Sequence, residues 1–280
     1  MTKLTGKNCL LCGTKIFFPY SFFLITFIWS WGFWISIPII LSVFPYLAIF
    51  QKSITLSLLI IGTFGPLSGA LYCLHKEKHS IRDFLKQSLD FKLGWKTYLI
   101  PVVIFGGTTF IAWFLPELCG EKRLDILLPS IWIFIPCLFY MILFGGGQEE
   151  FGWRGYILPV LEKKYGIWRA NILLGGIWAC WHIPLWFISG TSQRYMNFSG
   201  FVILSIGYSF ILSWIRNKAH NKMFSGIYSH GIANALISIM PTIVMQDNMP
   251  QTRFWIWVFL TFATGFIITI LRLKKTEEHA

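Results

Sequence analysis

The sequence predicts an all-α fold, a polytopic membrane helix bundle of about eight transmembrane helices forming a single integral-membrane domain, 1–280. Three observations carry this. The chain is 55% hydrophobic and 18% aromatic but only 13% charged, whereas soluble domains carry about 25% charged residues. Its apolar residues fall into runs near the ~20 residues that cross a hydrocarbon core. Its basic residues sort to one side of those runs, as cytoplasmic loops require.

The first run, Ile16–Phe50, is too long for one straight span, and Pro38 and Pro45 are expected to kink or end it. The others are approximately Ile54–Leu74, Tyr98–Leu115, Ile126–Phe144, Ala170–Ile188, Phe201–Ile215, Phe224–Val244 and Phe254–Leu271. The sixth is short and is expected to reach back to Asn197. Between the second and third spans, His75–Trp95 mixes basic residues with Ile81, Phe84, Leu85, Leu89 and Phe91 at helical spacing. That pattern predicts a helix lying on the inner membrane face rather than a plain loop.

Lys3, Lys7 and Lys15 precede the first run, as in a signal peptide, but no convincing small-x-small cleavage site follows, so the run is expected to stay as an uncleaved anchor. With both termini cytoplasmic, 19 of the 24 Lys and Arg residues lie inside. Only Lys52, Lys122, Arg123, Arg194 and Arg253 lie outside. The same sorting accounts for the net charge of +12 without nucleic acid, for which no basic stripe on a soluble domain is present. Of the six cysteines, Cys73, Cys137 and Cys180 fall in apolar runs and Cys119 in a short loop; Cys9 and Cys12 form one CxxC with no second pair for zinc. An incidental or lipidated pair fits these two better than a metal or redox site.

A charged side chain in a bilayer costs about 2.5–3.5 kcal/mol on insertion scales, so each needs a partner or a function. Three patterns concentrate such groups: Glu149-Glu150-Phe151-Gly152-Trp153-Arg154, Trp178-Ala179-Cys180-Trp181-His182 and His230-Gly231-Ile232-Ala233-Asn234. Gly145-Gly146-Gly147 ahead of the first is no phosphate loop, because no GK[ST] follows; it is expected to break the fourth span and start a new helix. The glutamates then stand near a helix start, which suits the macrodipole and is one sufficient reason for them. Glu150 and Arg154 are four apart and can pair. Glu149 points about 100° away, lacks that cation, and is expected to be the better general base. Gly152 allows another helix to approach closely. His182 is either a site residue or a satisfied hydrogen-bonding residue. His230 and Asn234 share one helix face and serve either chemistry or interhelical packing. Trp178, one turn before His182, is placed to pack on its ring, or is an ordinary core aromatic.

Together, in this order and at membrane positions, the three patterns resemble the CPBP family of intramembrane proteases (CAAX proteases and bacteriocin-processing enzymes, also called the Abi family). The family pattern is EExxxR, then aromatic-xxx-His, then HxxxN or HxxxB. Glu149, Glu150 and Arg154 match the first, Trp178 and His182 the second, with Trp where Phe is commoner, and His230 and Asn234 the third. The resemblance covers the motif-bearing core, 144–240.

The resemblance implies an endopeptidase whose site opens to the cytosol. It implies that Glu149 and His182 activate water, that His230 and Asn234 stabilise the oxyanion, and that Glu150 and Arg154 hold Glu149. No cofactor is expected; the alternative is zinc or another divalent metal on Glu149, His182 and His230. Cys180 and His182 are two apart, on different faces, which argues against a cysteine protease. The expected partners are the bilayer and a peptide or lipidated-protein substrate. A small chain without long extensions looks bacterial, where peptide or bacteriocin maturation or self-immunity is the expected role. The competing readings are a non-catalytic membrane immunity or partner protein and a small transporter, although the polar set has no counterpart in Ile16–Leu115 as paired transporter halves would require.

The charge sorting makes a direct prediction. Topology reporters fused after Ala280 and within 116–125 are expected to give opposite readouts in cells; matching readouts refute the eight-span arrangement.

Overall fold

The computed structural model describes residues 18–277. Lys3, Lys7, Lys15, Cys9 and Cys12, and with them the anchor reading and the CxxC, lie outside the described residues. The described chain is helical, without strands: α1 (Tyr20–Val43), α2 (Gln51–Thr63), α3 (Gly65–Lys76), α4 (Ile81–Ser88), α5 (Trp95–Leu118), α6 (Phe134–Leu143), α7 (Leu158–Trp181), α8 (Phe198–Lys218), α9 (Phe224–Ile239) and α10 (Thr252–Glu277).

Seven stretches among the described residues are long and apolar enough to span a membrane. The expected seventh crossing differs: α9 ends at Ile239 rather than Val244 and has only 16 residues. Eleven of these are buried, against α5, α6 and α8, so protein rather than lipid sets its length. The other differences are local. α1 runs through Pro38 and stops before Pro45, where a 3₁₀ segment takes over. The second crossing is two helices, α2 and α3, with Pro66 in the first turn of α3, where a missing N–H costs nothing. The fourth begins at Ile131, five residues later than expected. The segment from Phe151 to Phe187 bends at Gly166, whose φ of 74° is left-handed backbone that glycine adopts without steric cost. Asn197 caps α8, its Oδ1 accepting from the Gly200 N–H at 3.1 Å.

The expected surface helix exists as α4. Ser80 caps it through the Asp83 N–H, and Phe84 turns inward against Phe151. The connection from α4 to α5 is pinned to the α8–α9 turn by Lys222, whose Nζ lies 2.9 Å from Asp90 Oδ2 and donates to the Lys92 carbonyl. The Lys222 hydrogen bond, helped by the Lys92 backbone N–H, holds the Asp90 carboxyl below its usual range.

Packing places the polar motifs at the centre. α1 lies on α2 and α3; α3 lies on the winding 151–157; α8 joins α7 to α10; α5 and α6 flank α9. The close approach expected at Gly152 is made by α3: a Cβ there would stand 2.5 Å from the Pro66 carbonyl carbon. Two adjacent glycines of α7 provide a contrast. A Cβ on Gly175 would meet Ile206 Cα at 2.6 Å, while one on Gly176 meets nothing within 4 Å. Gly175→Ala is therefore expected to cost about 1–3 kcal/mol through overpacking of α7 on α8, whereas Gly176→Ala stays within about 1 kcal/mol. Thermal melting in detergent, side by side, checks this; equal melting points refute it.

Candidate active site

α6 stops where Gly145-Gly146-Gly147 begins, as expected from three consecutive glycines. Gly146 has φ 134°, and a Cβ on it would lie 2.6 Å from Asn234 Nδ2 and 2.7 Å from His230 Nε2. Only glycine fits against those two groups. A 3₁₀ turn (Gly147–Glu149) and a π-wound segment (Phe151–Ile157) follow; π windings recur at functional sites because they re-aim side chains. All seven residues drawn from the three patterns converge here, and Glu149, Glu150, Arg154, Trp178, His182 and His230 are buried.

Glu150 is the hub. Its Oε1 accepts from Arg154 Nη1 at 2.9 Å and lies 2.8 Å from His230 Nδ1, with both Glu150 and Arg154 fully buried. The expected Glu150–Arg154 pair is thus present. The guanidinium meets the carboxylate through one nitrogen rather than as a two-pronged fork, and neither Arg154 Nε nor Nη2 nor Glu150 Oε2 finds a partner among the described residues. Glu150 also holds an imidazole, which the motif reading did not assign to it. The guanidinium carbon lies 5.0 Å from the Trp178 ring centre, so the rest of the cation rests on an aromatic face.

Trp178 ties the remaining groups together. Its indole N–H donates to Glu149 Oε2 at 2.9 Å, and its carbonyl lies 2.8 Å from His182 Nδ1. The hydrogen-bond partner of Glu149 is therefore Trp178, on whose ring the Arg154 guanidinium lies. Trp178 also sets its ring edge-on to His182 and His230, with centroids 5.4 and 5.3 Å apart. Trp181 and Phe201 complete the wall around His182 at 4.6 and 5.2 Å.

These contacts fix the tautomers. A carbonyl only accepts, so His182 Nδ1 carries the proton given to Trp178, and neutral His182 keeps a lone pair on Nε2. Donation from His230 Nδ1 to Glu150 likewise leaves the His230 Nε2 lone pair facing Gly146. Neutral His230 is then an acceptor at Nε2, and it donates there only as the imidazolium. Asn234 gives one Nδ2 hydrogen to the Gly145 carbonyl at 2.6 Å and keeps the second.

Sequence reasoning assigned no role to Gln148 or Thr63. Gln148 is buried; its Oε1 accepts the Gly146 N–H at 3.0 Å, and its Nε2 donates to Thr63 Oγ1 at 2.7 Å and to the Phe144 carbonyl at 3.1 Å. An amide inside an apolar stretch, beside three glycines, was the available signal, since such a group must be satisfied.

Glu149, His182 and His230 were the alternative metal ligands. Among the described residues no three His, Cys, Asp or Glu side chains are arranged to hold a metal ion. Glu149 Oε2 accepts from an indole and His230 Nδ1 bonds Glu150, so each residue has one atom engaged and one open.

With this geometry in view, comparison with known proteins is specific. Residues 130–236 match the family described as Type II CAAX prenyl endopeptidase Rce1-like. Over 108 residues the chain is 32% identical to CAAX prenyl protease 2 of Methanococcus maripaludis. That alignment covers 36% of this chain and 39% of the relative, so the similarity spans well under half of each. The stretch that carries the three motifs is thus the part of the chain that is similar to CAAX endopeptidases.

Removing one partner of a buried ion pair strands the other charge, at about 3–5 kcal/mol. Arg154→Met is therefore expected to lower the melting temperature sharply, and adding Glu150→Gln to recover part of the loss. A double variant as unstable as the two single losses added together refutes the coupling.

Proposed function

We propose that this chain is an intramembrane endopeptidase that hydrolyses peptide bonds with a water activated by Glu149 and His182. The observation that carries the reading is the double use of Trp178, which holds one oxygen of the Glu149 carboxylate and one nitrogen of His182 and leaves the other atom of each without a hydrogen-bond partner among the described residues. Similarity of residues 130–236 to CAAX prenyl endopeptidases supports the same reaction class.

Glu149 Oε1 and His182 Nε2 can each accept one hydrogen of the same water, turning its oxygen lone pair toward a substrate carbonyl. Glu149 takes the proton as the oxygen–carbon bond forms. Negative charge then builds on the former carbonyl oxygen, and the unspent Asn234 N–H donates to it without any change of protonation. His230 adds a second donor at Nε2 when it is protonated, and Glu150 lies ready as its counter-charge. Such donors are worth about 2.7–4 kcal/mol each where water is excluded. As the intermediate collapses, the carbon–nitrogen bond breaks and the proton on Glu149 passes to the leaving amine. No step passes through a metal.

The substrate proposed is a peptide or lipidated protein presented at the membrane. The similarity to CAAX prenyl protease 2 of Methanococcus maripaludis makes a prenylated CAAX peptide the first probe; peptide or bacteriocin maturation, or self-immunity, is the proposed role in a bacterial membrane with both termini in the cytoplasm.

The test is cleavage in liposomes of a farnesylated peptide ending in a CAAX sequence and of its unprenylated twin, read by mass spectrometry. Wild-type chain is expected to cut at least one, with activity surviving EDTA. Glu149→Gln keeps shape but cannot take a proton, so the rate is expected to fall by about 10²–10⁴. Full activity in Glu149→Gln would falsify the assignment of the base, and loss of wild-type activity on chelation would overturn the metal-free route.

A further inference from the structure

We infer that Gln148 is a positioning residue that sets the Asn234 amide, acting through the glycine turn between them. This rests on the peptidase reading above. The Gln148 amide uses everything it has at this site: its oxygen takes the Gly146 N–H, and its two N–H groups go to Thr63 Oγ1 and the Phe144 carbonyl. The Thr63 hydroxyl hydrogen is itself given to the Ile60 carbonyl, so Thr63 can only accept from Gln148. The amide therefore has one orientation, not two. It bridges the end of α6, the left-handed Gly146 and the end of α2 in a single knot.

That knot sits between the two halves of the proposed chemistry. The peptide unit that Gln148 grips by the Gly146 N–H is the one whose Gly145 carbonyl fixes Asn234 Nδ2. The Gly146 carbonyl accepts the Glu149 N–H at 3.0 Å, so the same turn also carries the base. Gly146 itself packs against Asn234 Nδ2 and His230 Nε2. Asn234 has two N–H bonds in one plane; the direction of the first fixes the direction of the second, which is the one left for the oxyanion. A turn released by loss of Gln148 swings the Gly145 carbonyl and rotates that second donor away from its target. Gln148 touches no reacting atom, yet it decides where the donor points.

The experiment is a double-mutant cycle on the cleavage reaction, combined with hydrogen exchange. Gln148→Met preserves length and removes all three bonds. It is expected to lower kcat about tenfold with KM unchanged, since misaligned groups lose rate rather than affinity. In an Asn234→Ala background the same change is expected to lower kcat less than twofold, because the group being positioned is gone. Thr63→Val, which removes one anchor and is nearly isosteric, is expected to give a smaller loss of the same kind and serves should Gln148→Met fold poorly. Equal losses in both backgrounds overturn the role. Independently of turnover, the Gly146 amide is expected to exchange faster with solvent deuterium in Gln148→Met; unchanged exchange overturns the turn lock on which the role depends. A wild-type chain that cuts no peptide while exchange still responds to Gln148 refutes the peptidase reading, and the positioning role with it, but not the turn lock.

Discussion

The structure is organised around one carboxylate that has no access to water. Glu150 lies fully buried in a helix bundle, and its charge is balanced by Arg154 and a donated His230 Nδ1–H. Desolvating such a group costs several kcal/mol unless its partners are in place. The consequences radiate outward. Arg154 has to reach back one turn, so the segment from Phe151 to Ile157 must wind with both on one face. Its guanidinium then needs a second neighbour, and Trp178 of α7 provides a ring. His230 must come from the other side, which brings α9 inward with Asn234 on the same face. The helices that carry chemistry are thus gathered by the needs of a group that performs none.

Trp178 translates that scaffold into reactive geometry. A phenylalanine, the commoner residue in the family pattern, would supply the ring for Arg154 but nothing for Glu149. The indole N–H couples the buried cation's platform to the base, while the backbone carbonyl of the same residue selects the His182 tautomer. Base, imidazole and cation therefore meet at one residue of α7, the first and last through its side chain and the imidazole through its carbonyl.

Much of this was legible in the sequence, and the limits have physical causes. Hydropathy located the spans because bilayer thickness fixes their length; it misplaced the start of the fourth and the end of the seventh, where turns and burial rather than lipid decide. Gly152 and the three glycines were read correctly, since close approach and a broken helix leave glycine as the simplest solution. The Glu150–Arg154 pair followed from a four-residue spacing that brings both side chains to one face. What spacing does not contain is the third dimension: that His230 answers Glu150, that Glu149 answers Trp178, and that the guanidinium reaches Glu150 through one nitrogen. Gln148 was overlooked for a related reason. Its partners, Thr63 and the peptide groups at 144 and 146, are acceptors and donors that every sequence has in abundance, so no motif marks them.

The shortness of α9 has a consequence of its own. At about 1.5 Å per residue, its 16 residues reach roughly 24 Å, short of a hydrocarbon layer about 30 Å thick. A helix facing lipid would have to answer that mismatch by thinning the bilayer around it. α9 does not, because neighbouring helices form its surroundings along most of its length. Freed from lipid, it can hold Ser225, Ser229, His230, Asn234 and Ser238 on a single element, a composition no exposed span would tolerate. The helix too short to cross a bilayer by itself is the one that carries the donors, and it can be that short because its neighbours, not lipid, enclose it.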